Sequence, residues 1–442
     1  MNRLVFLILI LLIIPNIAFL VPPSDGRTDG VQRFPPPEFE TGHQLPITTI
    51  PNPRSDFLEY LDVVMLLVTL SLASYLALKK RSRRSLFFLG IFSLLYFGFW
   101  RKGCVCPIGA IQNMSLALFD KSYIPPITVI AFFVLPLAFT LFFGRTFCAS
   151  VCPLGAIQDI LLIRPIKVPS WVDNSLGLLA YIYFGAGVLF SATGSAFIIC
   201  QYDPFVSFFR RSGSVNILII GVCFLVIGMF IGRPYCRYLC PYSILLRLTS
   251  KGAKWHVNIT PSECINCHLC ADSCPFGAIR KPTLTQPKDR KEGKKAFTFI
   301  VILLPLLIVI GALLGVRAGT PLSHVNSRVR LAERIWMEDT KIFGDTTESS
   351  DAFRGTGRPK DELYAEAVSI NGKFAVGGGI FGGFVGLVIG SKLIQLFLRR
   401  RQMDYEADRS SCLSCGRCFA YCPVGKDITD GTLELRNEEN KN

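Results

Sequence analysis

The chain has 442 residues, half of them apolar and 18% charged, with a mean hydropathy of +0.42 and a formal net charge of +15. Its apolar residues gather into long uncharged runs, which excludes a soluble globule and points to an integral membrane protein. The positive charge does not point to nucleic acid, because Lys and Arg cluster beside those runs in the positive-inside pattern.

The pattern predicts a membrane all-α fold, a polytopic helical bundle of seven or eight spans. Candidate spans cover 4–20, 60–78, 85–100, 127–143, 176–199, 215–231, 297–316 and 374–397. Several are short for a hydrocarbon layer of about 30 Å, so little tilt is expected. Residues 1–20, with Arg3 ahead of the apolar run, read as a signal peptide or an anchor span. The long apolar core and the lack of an A-x-A site favour the anchor, and either reading sends the Pro-rich segment 21–56 outward. A membrane bundle at 57–250 follows, then a first ferredoxin-type segment at 251–295. Two spans at 296–398 enclose an outer loop, 317–373, and a second ferredoxin-type segment occupies 399–442.

The basic runs Lys79–Arg84, Lys281–Lys295 and Arg399–Arg401 mark the cytoplasmic side. Arg101, Lys102, Arg210 and Arg211 then fall outside, against the rule. The outer loop is charge-balanced, with a helix-like stretch at Val329–Asp339; it docks a periplasmic partner or is a solvated excursion. The last span carries Gly378, Gly382, Gly386 and Gly390 on one face, with Gly379 and Gly383 beside them, a stripe that permits close helix contact.

Sixteen cysteines carry the chemistry. Two runs of C-x2-C-x2-C-x3-C-P, Cys264/Cys267/Cys270/Cys274 and Cys412/Cys415/Cys418/Cys422, have the spacing that wraps thiolates around a cubane [4Fe-4S] cluster. Structural zinc sites also use C-x2-C pairs, but they separate the two pairs by about 12 to 20 residues. Both runs fall in the predicted cytoplasm, where thiols stay reduced. In two-cluster ferredoxins each run lends its fourth cysteine to the other cluster. The expected ligand sets are therefore Cys264, Cys267, Cys270 and Cys422, and Cys412, Cys415, Cys418 and Cys274.

Three apolar spans each end in a basic residue and a cysteine pair with proline: Arg101-KGCVCPIGAIQ, Arg145-TFCASVCPLGAIQ and Arg233-PYCRYLCPYSIL. Such repeats indicate duplicated helix-plus-loop units. Cys148/Cys152 and Cys236/Cys240 are C-x3-C-P pairs at the predicted inner edge. They read as a third iron–sulfur centre, a reducible dithiol, or a helix-capping turn against which the ferredoxin segment docks. Cys104, Cys106 and Cys200 fall at the outer face, as a metal or redox site, as buried packing thiols, or as a disulfide made by Cys200. Cys223, in mid-span, reads as core. Asp203, in Gln201-Tyr-Asp-Pro-Phe, is the best candidate to receive a quinol proton, against the plainer reading of an Asp-Pro turn.

None of His43, His256, His268 and His324 lies in a predicted span, so no haem is expected, and His268 beside Cys267 reads as incidental. The catalytic residues, if any, stay unassigned.

GRPYCRYLCP followed by ECINCHLCADSCPFGAI, together with the spans carrying C-x3-C-P, resembles the membrane polyferredoxin, or 4Fe-4S binding protein, family from about Ser85 to Ile279. Its members include the C-terminal half of NosR, NapH and CcoG. The resemblance implies an iron–sulfur electron-transfer protein of the prokaryotic inner membrane, an oxidoreductase component more than a stand-alone catalyst. It would link the quinone pool or a cytoplasmic donor to a periplasmic reductase. The alternative is an assembly factor that reduces a metal or disulfide for a periplasmic metalloenzyme. The first Cys-Pro repeat and the two spans between the ferredoxin runs depart from the family pattern.

Overall fold

The computed structural model describes residues 55–103, 106–210, 214–259, 267–280, 282, 290–340, 342, 346–397 and 405–422. The first candidate span, the Pro-rich segment, Cys104 and Cys264 lie outside the described residues. The architecture is almost wholly helical, and its one described sheet is a two-residue pairing of Ile279–Arg280 with Glu406–Ala407.

Four described helices are long and apolar enough to cross a membrane, within Asp56–Leu78, Trp171–Ala192, Val301–Ser323 and Lys360–Gln395; Ile127–Phe143 and Val215–Gly228 are shorter apolar helices. The expected span 85–100 is not one continuous α-helix. It is an α-helix, Arg83–Ser93, running into a π-helical segment, Leu94–Trp100. A second π-helical segment, Phe147–Val151, precedes Cys152. Inserted π turns recur at functional sites because they re-aim side chains without ending the helix.

Each repeat is an apolar helix, a turn and a short helix: Pro107–Phe119, Pro153–Leu161 and Tyr242–Ser250. The local cause is the Cys-Pro pair. In the first two repeats the cysteine is the N-cap in extended geometry, and proline takes the first helical turn, where its missing N–H costs nothing. Gly144, at φ 70°, closes the helix Ile127–Phe143 and lets the chain turn into the second elbow. The repeat glutamines act alike. Gln112 accepts from the Cys200 N–H at 3.1 Å and Gln158 from the Tyr235 N–H at 3.1 Å, each tying its elbow to the next unit.

The glycine stripe is used, and its partner is a second stripe absent from the sequence reading. Gly311, Gly315 and Gly319, on the helix Arg290–Ser323, face Gly378, Gly382 and Gly386 on the helix Lys360–Phe397. A Cβ on Gly382 would overlap the carbonyl of Gly311, and one on Gly319 would stand 2.7 Å from the carbonyl of Phe374. We expect Gly382→Leu to force the pair apart, a cost of about 1–3 kcal/mol for overpacking, and to lower the iron content of the purified chain. Unchanged iron would contradict a coupling between this pair and the ferredoxin segment.

The stretch between these helices is a folded cap. Ser327–Asp339, begun by the Asn326 cap, and Glu348–Gly355, begun by a Thr347/Ser350 capping box, enclose Val329, Leu331, Ala332, Ile335 and Phe353 against Leu363 and Ala367. Arg354 pairs with Glu338 at 2.9 Å and Lys360 with Asp339 at 2.8 Å, which explains the charge balance. Cys223 corrects a sequence expectation: it is exposed, because its helix buries Gly221, Leu225 and Gly228 and turns residue 223 to the opposite side.

Candidate iron–sulfur sites and a neighbouring cavity

The two ferredoxin runs, more than 130 residues apart, fold as one unit. Ile279 pairs with Ala407 and Arg280 with Glu406, antiparallel. The Asp408 N–H donates to the Ala278 carbonyl at 2.8 Å, and the Arg280 guanidinium pairs with Asp408 at 2.5 Å. His268 hydrogen-bonds through Nδ1 to the Tyr405 hydroxyl, so the histidine read as incidental is a cross-link between the runs.

Cys274 of the first run stands within electrostatic reach of Cys412, Cys415 and Cys418 of the second. Burial pushes the Cys274, Cys412 and Cys418 thiols up, Cys412 to about 12, and neighbouring sulfurs raise each further. Free thiols here stay protonated, so the thiolates need a metal to form. Backbone N–H groups of Phe276, Ala278 and Ile279 approach the Cys274 sulfur, and the Ser414 N–H donates to Cys412 Sγ at 3.4 Å. Cys270 and Cys422 are half-buried and Cys267 is exposed.

Cys148, Cys152, Cys236 and Cys240 form a second group of four sulfurs. Cys240 feels the other three, and Cys236 feels Cys148. The Gly155 N–H points at Cys152 and the Ser243 N–H at Cys240, so short-helix N-termini face the thiols. Gln158 Nε2 donates to Cys236 Sγ at 3.5 Å, and Arg145 Nη2 to Cys148 Sγ at 3.7 Å. Among the described residues no three His, Cys, Asp or Glu side chains close on a single metal ion. One tetrahedral ion with bonds of about 2.3 Å would draw its sulfurs to about 3.8 Å apart; a cubane, with an iron at each of four corners, takes thiolates held wider. The all-sulfur donor set and the N–H groups aimed at it fit an iron–sulfur cluster.

Asp159 joins the two groups. Its carboxylate meets Arg83, Arg417 at 3.2 Å and Arg233 at 3.6 Å. Burial alone would raise its pKa, but Arg233, Arg83 and Arg417 outweigh that and hold it at about 2. Arg233 is fully buried in a left-handed conformation, φ 51°, a strain that a surrounding hydrogen-bond set must hold. It donates to the Cys148 carbonyl and, at 3.1 Å, to the Ala149 carbonyl. Arg145 donates to the Ser410 carbonyl at 3.2 Å and Arg83 to the Cys415 carbonyl at 3.4 Å. Arg145 of the second repeat, Arg83, and the Asp159–Arg417 pair thus hold the second ferredoxin run on the bundle. Sequence reading missed this role; for Arg145 the signal was the basic residue recurring just before each cysteine pair.

A separate cavity of about 380 Å³ is lined by Glu59, Asp62, Arg101, Cys106, Cys200 and Asp203. Two of the three cysteines expected at the outer face therefore share a wall with Asp203. Arg101 pairs with the buried Asp62 at 2.7 Å, and Arg210 lines the same cavity, so these two cations, expected to fall outside against the positive-inside rule, face a cavity rich in carboxylates. Asp203 forms the expected turn, Oδ1 accepting from the Phe205 N–H at 2.9 Å, while Oδ2 accepts from the Tyr235 hydroxyl at 2.7 Å. The Tyr235 N–H reaches Gln158, which reaches Cys236. Tyr235, bonded at its hydroxyl to the cavity and at its backbone N–H to Gln158, thus links the cavity wall to the sulfur group through adjoining residues.

Short helices with cysteine-proline elbows, docked to a split ferredoxin unit, define a membrane 4Fe-4S binding protein. The chain is similar to 4Fe-4S binding domains, whose family models match residues 125–169 and 214–259, and again 257–280. The first two matches contain the two C-x3-C-P pairs. The uncharacterized protein MJ0750 of Methanocaldococcus jannaschii is 28% identical over 221 residues, 49% of this chain and 88% of that protein. The putative electron transport protein YccM of Escherichia coli is 28% identical over 122 residues, 25% of this chain and 34% of YccM. The protein NirI of Paracoccus denitrificans is 32% identical over 122 residues, 26% of this chain and 18% of NirI. No solved structure matches.

Proposed function

We propose that this chain is an iron–sulfur electron carrier of the prokaryotic inner membrane, linking quinone or a cytoplasmic donor to a periplasmic redox partner. Cys264, Cys267, Cys270 and Cys422 hold one [4Fe-4S] cluster, and Cys412, Cys415, Cys418 and Cys274 hold a second. Cys148, Cys152, Cys236 and Cys240 hold a third. When bound, the clusters supply one-electron transfer at low reorganisation. The chain's own residues position and shield them: arginines balance thiolate charge, helix N-termini aim N–H groups at sulfur, and Asp159 fixes the docking.

The observation that carries this reading is the position of the C-x3-C-P sulfurs, between the ferredoxin unit and a cavity connected to them through Tyr235 and Gln158. The electron transport name of YccM agrees with it. A carboxylate buried to 1% exposure and bonded to a tyrosine suits Asp203 to take a proton from a quinol at the cavity. The sharing of that cavity by Cys106 and Cys200 favours a second reading, a metal or disulfide reductant for a maturing periplasmic enzyme.

A short-chain quinol added anaerobically to the purified chain divides them. It is expected to reduce the clusters, and Asp203→Asn to slow that reduction about 100-fold, the lower range for a general base, while leaving iron content unchanged. Copper or iron retained at the cavity, with no reduction by quinol, would replace electron carriage with the second reading.

A further inference from the structure

We infer that the seam between the ferredoxin unit and the bundle holds a phosphate-type oxyanion, free or as a lipid headgroup. The site is a second cavity, of about 120 Å³, lined by Arg145, Arg233, Arg237, Arg247 and Lys392, with Asp173 as the one carboxylate among its described lining residues. That carboxylate is already engaged by Arg237 at 2.6 Å. Arg247 and Lys392 make no ion pair with any described residue.

Excess cationic charge at a buried seam is costly unless an anion answers it. Two of the arginines turn toward the sulfur groups: Arg145 gives its Nη atoms to Cys148 Sγ and the Ser410 carbonyl, and Arg233 gives its own to Asp159 and two carbonyls. Yet the Nε atoms of Arg145, Arg233 and Arg247 are all buried without a partner, and Arg145 and Arg233 are only 2% and 1% exposed. Arg145, Arg233, Arg247 and Lys392 all line one small cavity. It has the volume of about four waters, enough for a tetrahedral oxyanion. Guanidinium edges recognise that geometry by paired N–H bonds. Cys236 also lines the cavity, which places the anion beside the C-x3-C-P sulfurs. The inference does not rest on the proposed function, since binding is read without turnover.

The test uses the full-length chain in nanodiscs of zwitterionic lipid, dialysed against radiolabelled inorganic phosphate, with the co-purified lipid extracted and identified. Saturable binding of one phosphate per chain indicates the free ion. One anionic lipid that survives exchange and blocks phosphate indicates the headgroup. In either case Lys392→Gln and Arg247→Gln should each weaken retention about tenfold or more, the loss of one charge-assisted bond, with iron content unchanged. Absence of both ligands, or binding that ignores both substitutions, overturns the site.

Discussion

Replacing Cys274 with alanine is expected to remove about four iron atoms per chain, one cubane. Replacing Cys412 should remove about the same number. The informative result is the double variant, which should lose no more than either single one, because both cysteines serve one cluster. Were each run to hold its own four cysteines, the two losses would add to about eight. The basis is geometric. Cys274 ends the short helix Leu269–Ser273 in extended backbone and is carried by the Ile279–Ala407 pairing toward Cys412, Cys415 and Cys418. Iron measured with acid-labile sulfide in the three variants distinguishes the two arrangements.

Asp159→Asn should have the largest effect on stability. The carboxylate is 6% exposed and answers Arg83, Arg233 and Arg417 together, so its neutralisation leaves three cations without their shared anion. Breaking a buried pair of this kind costs about 3–5 kcal/mol. Arg417 lies in the second ferredoxin run and Arg233 holds the C-x3-C-P loop, so the expected phenotype is undocking: early proteolytic release of the C-terminal segment and loss of iron. The same group sets an acid limit. Its folded-state pKa, at about 2, lies below that of an unfolded aspartate, so its contribution of roughly 2 kcal/mol is fully present above about pH 4. That contribution is lost as pH falls through about 2. Thermal unfolding from pH 7 to pH 5 should show no Asp159-dependent change, and a difference between wild type and Asp159→Asn that shrinks at neutral pH would contradict the assignment.

Much of the architecture was legible because it rests on patterns with a direct physical cause. Apolar runs gave the helices, and Ile127–Phe143 has the expected limits because Pro126 and Gly144 bound it. The C-x2-C-x2-C-x3-C spacing located both halves of the ferredoxin unit, and the duplicated Cys-Pro-Leu/Ile-Gly-Ala-Ile-Gln exposed the repeat. The Val329–Asp339 stretch was visible as a helix, whereas its packing into a cap was not, since that depends on Phe353 and Leu363 arriving from other helices.

What the sequence concealed depends on long-range pairing. Gly311, Gly315 and Gly319 acquire meaning only once their helix lies against Gly378, Gly382 and Gly386. Asp159, Arg83, Arg233 and Arg417 look like ordinary interfacial charges until the fold gathers them from four segments. Cys223 was misjudged because an apolar mid-span residue faces the core or the lipid according to neighbours that one helix does not reveal. The Asp203–Tyr235–Gln158–Cys236 chain joins residues that no local motif connects.

The most direct test of the central claim, that distant cysteine runs meet to hold cubane clusters beside a C-x3-C-P centre, is the metal content of the anaerobically purified full-length chain. Iron and acid-labile sulfide should be equal, at about twelve each per chain, with reduced-state EPR signals of interacting [4Fe-4S] clusters and no zinc. Zinc without sulfide would contradict the account at its root.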